Sequence, residues 1–494
     1  MYPDRDFNPQ ADLPPQAADL TLDIGLGLLL DVMAAGDTFL RGIAERALFS
    51  SLQDPGEIAY RQEILQDCLA HRETILAFYR VAVEALEQQR KIHGMYFFAR
   101  SPELILARSV ELLTMLVGML RRLRTVAEEG GAEFRSRGFT RFLATVAAEL
   151  DEDYIRSVEG SLQELRLDRG VVMSAHLGDG GKGKGYVLHR PQNVAIPRLA
   201  RLLGRGPKTY SFEIADRDEA GHQALQELRG RGINLVANAV AQSAEHVLGF
   251  FTLLRAELGF YVGALNLQAT LDAKGEPTCF PSARAIGSGC MSAQGLYDVC
   301  LSLTLDSRVV GNDLHADGKS LVVVTGANQG GKSTFLRSVA VAQLMMQCGM
   351  FVGAQAFSAD VATLVLTHFQ RPEDAAMQSG RLDEELRRMS RVTDLARAGG
   401  LLLCNESFSS TNEREGSEIS RQVIRAFTEA SVRVFFVTHF YDLADGLFRE
   451  DSDRMLFLRA ERDPDGRRSF RLAVASPLPT SYGADLYREV FNDS

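Results

Sequence analysis

The chain has 494 residues and a formal net charge of −10. A chain of this length exceeds what one compact core normally holds, so we expect two to four domains. With 46% hydrophobic and 24% charged residues, the composition is that of a soluble globular protein. The acidic balance excludes a protein whose whole surface binds polyanions, although it leaves room for a local basic patch.

The N-terminal residues 1–23 are polar and rich in proline, without the apolar segment of a signal peptide, so we predict a polar tail. No uncharged apolar run is long enough to span a bilayer, and the most apolar early segment is interrupted at Asp31. Six scattered cysteines without a CxxC pair indicate reduced thiols rather than a zinc site. We therefore expect a cytoplasmic protein that does not bind a membrane.

Residues 24–275 are dominated by helix-forming sequence, and apolar residues recur at three- and four-residue spacing. Asp54-Pro55-Gly56 marks a clear turn in this region. The spacing predicts long helices that form a core and lever region. One such apolar face is formed by Ile58, Ile64, Leu65, Leu69, Ile75, Leu76 and Phe78.

A β-hairpin is predicted near residues 168–193. Two β-like runs, Val171–His176 and Tyr186–His189, flank a tip rich in glycine and lysine. Lys182 and Lys184 at this tip could contact a phosphate backbone. A solvated loop tip explains the same composition, and the sequence leaves both interpretations open.

Residues 276–494 change to an α/β pattern, in which strand-like apolar runs alternate with helical stretches. This alternation predicts a mostly parallel sheet covered by helices. The fold class is therefore multidomain α and α/β. The strand-like runs are Leu321–Val324, Thr363–Thr367, Leu401–Cys404, Val432–Thr438 and Arg454–Leu458.

The segment TGANQGGKST (residues 325–334) matches the pattern G-x-x-x-x-G-K-[ST] in a strand–loop–helix context. In this pattern, glycines let backbone N–H groups surround a phosphate, the lysine reaches the β- and γ-phosphate oxygens, and the hydroxyl binds Mg²⁺. The sequence therefore predicts a site for ATP with Mg²⁺. Its expected residues are Gly326, Ala327, Asn328, Gln329, Gly330, Gly331, Lys332, Ser333 and Thr334.

The segment LLLCNESFSS (residues 401–410) follows the pattern of a strand that carries a metal residue and a water-activating carboxylate. Glu406 stands where a general base is expected, and His439 follows the next strand-like run, where it could sense a γ-phosphate. Asn405 occupies the position where an aspartate usually holds Mg²⁺ through water. An amide contributes no charge there and weakens the hold on the metal. We therefore expect a slow, magnesium-dependent ATPase.

Together these motifs resemble the MutS family of DNA mismatch-repair ATPases, within the ABC-type group. The segments VVGND, MQSGRLDEELRRM, SSTNEREG, FVTHF and LPTSYGADLYREVF are similar to further family motifs. The resemblance implies that Asn312 and Asp313 contact the nucleotide. It also implies that Ser379 and Gly380 contact the ATP of a second subunit, so that a homodimer would have composite ATP sites. DNA is the partner that the resemblance implies.

The resemblance also has limits. A mismatch-reading domain is not recognisable before residue 24, so we expect a shortened family member and do not infer mismatch recognition. Three functions remain open: a nucleotide-switched dimeric clamp in DNA repair or DNA-structure processing, an ATP-driven mechanical or assembly ATPase acting on protein partners, and a homologue that binds ATP without turnover. The acidic balance and the missing reader favour the second, and the complete set of Lys332, Ser333, Glu406 and His439 argues against the third.

Overall fold

The computed structural model describes residues 1–95, 101–168, 170–181, 183–189, 211, 213–371, 380–462 and 468–479. The chain divides into two compact units. Unit 1 comprises Met1–Arg72, Phe134–Phe139 and Ala256–Ser494, and unit 2 comprises Glu73–Glu133 and Thr140–Arg255. This corrects the expected division into residues 24–275 and 276–494, because the helices before residue 72 belong with the α/β region.

Residues 1–23, for which we expected a polar tail, contain several buried residues beside others that are exposed. Met1 and Phe7 are buried, and the Met1 amino group forms an ion pair with Glu257. The Phe7 N–H also donates to the Glu257 carboxylate at 2.9 Å. The helix Ala17–Ile24 then buries its own apolar side chains. These widely spaced apolar residues carry no periodic pattern, which explains why the sequence did not indicate their burial.

Helices account for most of unit 1 outside its sheets. The Asp54-Pro55-Gly56 turn is the start of one of them, since the Asp54 carboxylate accepts a hydrogen bond from the Gly56 N–H at 2.8 Å and caps the helix that follows. The helices after Ala17–Ile24 are Leu26–Ala34, Thr38–Phe49, Pro55–Ala70, Val299–Thr304, Lys332–Gln347, Arg381–Leu395, Glu413–Glu429 and Tyr441–Phe448.

Unit 2 is mainly helical, as the apolar periodicity predicts. Its core joins residues at three- and four-residue spacing, including Leu106, Val110, Leu113 and Val117, which pack in one cluster with Ile233. Three helices contribute residues to both units: Arg72–Met95, Arg137–Glu149 and Glu219–Ala273. The other helices of unit 2 are Pro102–Gly130 and Glu152–Glu164.

The long helix Glu219–Ala273 contains an 18-residue stretch with a mean hydropathy of 1.4, which by length and composition alone is sufficient to cross a membrane. Of this stretch, 56% is buried inside the structure, and core helices of soluble proteins have the same composition.

The predicted hairpin is confirmed in unit 2. Strand β1, Val172–Leu177, pairs antiparallel with strand β2, Gly183–His189. The Lys184 ammonium forms an exposed ion pair with Asp179 at 3.1 Å. Lys182 lies outside the described residues.

The strands of the α/β region are β3 Ser282–Arg284, β4 Met291–Leu296, β5 Asn312–His315, β6 Leu321–Gly326, β7 Ala356–Asp360, β8 Val365–Phe369, β9 Leu401–Asn405, β10 Arg433–Val437, β11 Met455–Arg462 and β12 Arg468–Val474. Six of them form the central sheet of the region, in the order β12-β11-β6-β10-β9-β8. All neighbouring pairs in this sheet are parallel except the edge pair β11–β12. The five predicted strands are therefore confirmed within one mostly parallel sheet.

Alternate residues of the sheet face helices on its two sides. On one face, Val323, Leu402 and Phe436 join a core cluster with Met389 and Ile424, which lie on the helices Arg381–Leu395 and Glu413–Glu429. The helix Lys332–Gln347 also packs against the sheet. Burial on both faces explains why the strands are continuous apolar runs in the sequence.

A second sheet has four strands in the order β3-β7-β4-β5, and the sequence did not predict it. Its strands contain serine, glycine, asparagine and aspartate, which are weak strand formers. Pairing with neighbouring strands therefore determines this sheet more than local propensity does.

Candidate functional site

The glycine-rich loop joins β6 to the helix Lys332–Gln347, as the sequence predicts. Gly326 has a φ of +109°, and a Cβ there would lie 2.9 Å from the Ala460 backbone nitrogen. Gly331 has a φ of +90° and stands immediately before the helix. Only glycine combines this close approach with these backbone angles, so the loop requires these residues.

Lys332 is buried at the first turn of that helix. Its ammonium group donates to the carbonyl oxygens of Gly326 at 2.9 Å and Ala327 at 3.0 Å. Burial lowers the pKa of Lys332, while the negative charge of Glu406 acts in the opposite direction. A desolvated cation in this position gains stability when an anion binds next to it.

Ser333 and Asn405 are joined by a side-chain hydrogen bond. The Ser333 hydroxyl donates to the Asn405 side-chain carbonyl oxygen at 2.8 Å, although the two residues are 72 positions apart. Oxygen atoms of this kind suit Mg²⁺, which takes few protein ligands and keeps several waters. No group of three or more His, Cys, Asp or Glu side chains among the described residues could hold a metal. The pair therefore fits a metal whose other ligands come from phosphate and water.

Glu406 follows β9 directly and lines the same cavity as the loop. Its backbone has a φ of +51°, and its N–H donates to the Val437 carbonyl at 2.9 Å. A non-glycine residue in the left-handed region is uncommon and is often found at functional sites. This conformation directs the chain out of the sheet at the end where the glycine-rich loop lies.

The cavity has a volume of about 480 Å³. Its lining combines polar residues of the loop with the apolar residues Leu301, Leu305, Val309 and Val310. A lining of this mixed composition suits a ligand that has both a charged and an apolar group.

Phe470 also lines this cavity, and sequence reasoning missed it. It has a φ of +55°, and its carbonyl accepts a hydrogen bond from the Asn312 side-chain amide at 3.2 Å. The Leu472 N–H donates to the Asn312 side-chain oxygen at 2.8 Å. Asn312 thus fixes the backbone of β12 on both sides of residue 471. The turn-forming sequence DPDG (463–466) followed by an aromatic residue was the available signal for this hairpin.

Three of the expected site residues lie elsewhere. Asp313 accepts a hydrogen bond from the Gly295 N–H at 2.7 Å and lines a different cavity, so the structure does not bring it together with the loop residues. His439 is exposed and its ring lies 4.8 Å from that of Phe440, outside the residues that line the main cavity. Gly380 is exposed immediately before the helix Arg381–Leu395. Ser379 lies outside the described residues.

The chain thus combines a helical unit with an α/β region that contains a glycine-rich loop. Two family models match it: the MutS2 N-terminal domain over residues 53–274 and MutS domain V over residues 322–486. The chain belongs to the MutS family. The MutS2 match covers the helical half, whereas the family motifs named above all lie in the second half of the chain.

Individual relatives match shorter parts of the chain. It is 28% identical to MutS protein homolog 4 of Mus musculus over 50% of this chain and 26% of that protein. It is 24% identical to DNA mismatch repair protein MutS of Alkaliphilus oremlandii over 66% of this chain and 39% of that protein. The identity to the MutS of Desulforamulus reducens is 31%, over 35% of this chain and 22% of the relative. The matched region thus spans less than half the length of each of these relatives.

Proposed function

We propose that this chain binds ATP with Mg²⁺, hydrolyses it slowly, and uses the nucleotide state to control binding to DNA. One observation carries this proposal. Lys332 and Ser333 of the loop, Glu406 at the end of β9 and Phe470 of β12 all line one cavity, although they are far apart in the sequence. Separate elements thus contribute a cation, a hydroxyl, a carboxylate and an aromatic residue to one cavity. This convergence of chemical groups is typical of a functional site.

Each residue has a role that its chemistry supports. Lys332 exchanges its loop carbonyl partners for phosphate oxygens, and Ser333 offers a hydroxyl oxygen beside them. A bound Mg²⁺ supplies positive charge to the phosphate oxygens. Glu406 orients and deprotonates the attacking water. Asn405 holds the Ser333 hydroxyl without adding charge, so we infer slow turnover.

The proposed partner is DNA, because two of the relatives are named DNA mismatch repair proteins and the family match extends over the helical half. The exposed hairpin of β1 and β2 carries Lys184 and offers one contact with a phosphate backbone. Because phosphate contacts do not read sequence, we infer binding that responds little to a single mispair and weakens steeply with salt. A cytoplasmic location agrees with this function.

We further propose that the active form is a homodimer. Gly380 is exposed at the start of the helix Arg381–Leu395 and outside the cavity of its own chain. This placement agrees with a residue that contacts the nucleotide of a second subunit. The result would be two composite ATP sites and a clamp that opens or closes with the nucleotide.

The test is the rate of ATP hydrolysis with no DNA, with homoduplex, with mismatched duplex and with branched DNA. We expect a slow basal rate that changes with DNA of any sequence and no marked preference for a mispair. A rate that no DNA changes, but that a protein partner raises, would instead indicate an ATPase that acts on proteins.

A further inference from the structure

The residue after Glu406 occupies an unusual segment of backbone. Ser407 is buried, and both of its neighbours have left-handed angles, with a φ of +51° for Glu406 and +63° for Phe408. Non-glycine residues keep such angles only where surrounding contacts hold them. The contacts of Ser407 and Phe408 therefore hold the backbone of Glu406, from which the carboxylate side chain extends.

His368, at the end of β8, supplies contacts on the Ser407 side. Its Nδ1 lies 2.7 Å from the Ser407 hydroxyl oxygen, and its Nε2 lies 3.0 Å from the carbonyl oxygen of Glu385. A carbonyl oxygen only accepts, so Nε2 carries the proton and Nδ1 can accept from the Ser407 hydroxyl. The same hydroxyl lies 2.9 Å from the His368 backbone carbonyl, to which it can also donate, so its one proton is shared between the ring and the main chain of His368. The burial of His368, together with the charge of Arg388, lowers its pKa to about 4, so the ring is neutral at physiological pH.

The same ring supports the residue on the other side of Ser407. The rings of His368 and Phe408 are stacked, with centroids 5.4 Å apart and planes inclined by 28°. Phe408 is completely buried in the core cluster on one face of the sheet. One side chain therefore holds Ser407 through a hydrogen bond and Phe408 through ring contact.

His368 also connects this segment to the helix Arg381–Leu395, since Glu385 belongs to that helix. A second bond joins the same two elements, because the Arg388 guanidinium donates to the Phe369 carbonyl at 2.8 Å. A movement of this helix would therefore displace the end of β8. Gly380, which we proposed to contact a second subunit's nucleotide, stands immediately before this helix.

We propose that His368 and Ser407 are positioning residues that fix Glu406 and couple it to the helix Arg381–Leu395. This inference rests on the proposed function, because it assigns a purpose to the placement of Glu406. Neither residue touches the reacting atoms. Through them, a contact at the start of the helix would adjust the carboxylate that activates water.

The test compares Ser407→Ala, His368→Phe and the double variant with the wild-type protein. His368→Phe keeps a ring that can stack on Phe408 but removes both nitrogen atoms. Three quantities are measured: kcat, the Kd for ATP, and hydrogen exchange of the backbone around residues 405–409. A misplacement of a reacting group by about 1 Å reduces turnover on the order of 100-fold.

We expect each single variant to lower kcat by about 10- to 100-fold, to leave the Kd for ATP unchanged and to accelerate exchange in the segment. The double variant should lose no more than the more impaired single variant, because both changes break one connection. Ser420→Ala is the matched control, since Ser420 is fully buried and its hydroxyl has no hydrogen-bond partner in the described structure. It should change none of the three quantities.

Failure of the positioning role and failure of the proposed hydrolysis give different results. Unchanged exchange and unchanged kcat in Ser407→Ala, or losses that multiply in the double variant, would overturn the positioning role. If exchange accelerates as expected but the wild-type protein hydrolyses no ATP, the positioning contact stands and the proposed hydrolysis fails. A thermal melt of each variant shows whether a loss of turnover comes from unfolding instead.

Discussion

The Ser333 hydroxyl donates a 2.8 Å hydrogen bond to the Asn405 side chain, and this bond joins the helix after the glycine-rich loop to the end of β9. The sequence predicts a metal beside these two residues, and we propose that Asn405 acts on it from this position. The contact explains how an amide can replace a carboxylate there: it still orients the hydroxyl, but it adds no negative charge.

Asn405→Asp should therefore lower the Mg²⁺ concentration that half-saturates turnover. Residues that orient metal ligands change metal affinity by roughly 10- to 100-fold, and we expect a shift of about 10-fold here. A magnesium titration of ATPase activity measures it, with Asn412→Asp, at a helix N-cap away from the cavity, as the control. Equal magnesium requirements in Asn405→Asp and the wild type would show that residue 405 is not beside the metal.

Phe470→Ala should weaken binding of ATP but not of inorganic triphosphate, because Phe470 lines the cavity and we propose that its ring contacts the base. Stacking of a base on an aromatic side chain contributes roughly 1–3 kcal/mol, so we expect at least about a 5-fold increase in Kd for ATP. Competition between a fluorescent nucleotide and each ligand gives both affinities. Phe448→Ala removes a ring of similar exposure (42% against 46%) and should alter neither. An equal loss for both ligands would place Phe470 away from the base.

Gly380→Arg should reduce turnover and dimer formation while leaving the Kd for ATP unchanged, because Gly380 lies outside the cavity of its own chain. A Cβ at this position meets no described atom within 4 Å, and the φ of −63° suits any residue, so a side chain can begin here without strain. Sedimentation with saturating ATP, in a Glu406→Gln background that blocks turnover, should show dimers when Gly380 is kept and monomers when Gly380→Arg is added. A wild-type protein that is a monomer with full activity would contradict the composite site.

Acid should destabilise the protein partly through His368. Burial lowers its pKa from 6.5 to about 4, so the unfolded chain binds more protons than the folded chain between these values. The free energy of unfolding therefore falls as the pH is lowered from 6.5 to 4, by on the order of 3 kcal/mol from this residue. His368→Phe should flatten that dependence in denaturant titrations at pH 7, 6 and 5. The same slope in the variant and the wild type would mean that His368 is not buried as a neutral ring.

The sequence predicts the central sheet and the loop because both rest on local signals. A glycine-rich loop needs particular residues at fixed spacing, and strands buried on both faces are continuous apolar runs. The structure separates Asn312 and Asp313, because neighbouring residues on a strand point to opposite faces. Of the two, Asn312 lines the main cavity and Asp313 lines another.

Other features depend on contacts between residues that are distant in the sequence. Met1 and Phe7 are held by Glu257, which is 250 or more residues away, and no local pattern contains that pairing. His368 and Ser407 are 39 residues apart and gain their relationship only when β8 and β9 pair. Ser407 lies in the segment LLLCNESFSS, but no pattern in the sequence connects it to His368, so their contact becomes visible only in the structure.

The most direct test of the central claim is the rate of ATP hydrolysis and the Kd for ATP, measured together in the wild type, Lys332→Ala and Glu406→Gln. We predict slow, magnesium-dependent hydrolysis by the wild type. Lys332→Ala should lose both binding and turnover, because it removes the cation that the loop holds. Glu406→Gln should bind ATP as the wild type does and lose turnover, because only the base is gone. Wild-type affinity in Lys332→Ala, or wild-type turnover in Glu406→Gln, would contradict the account.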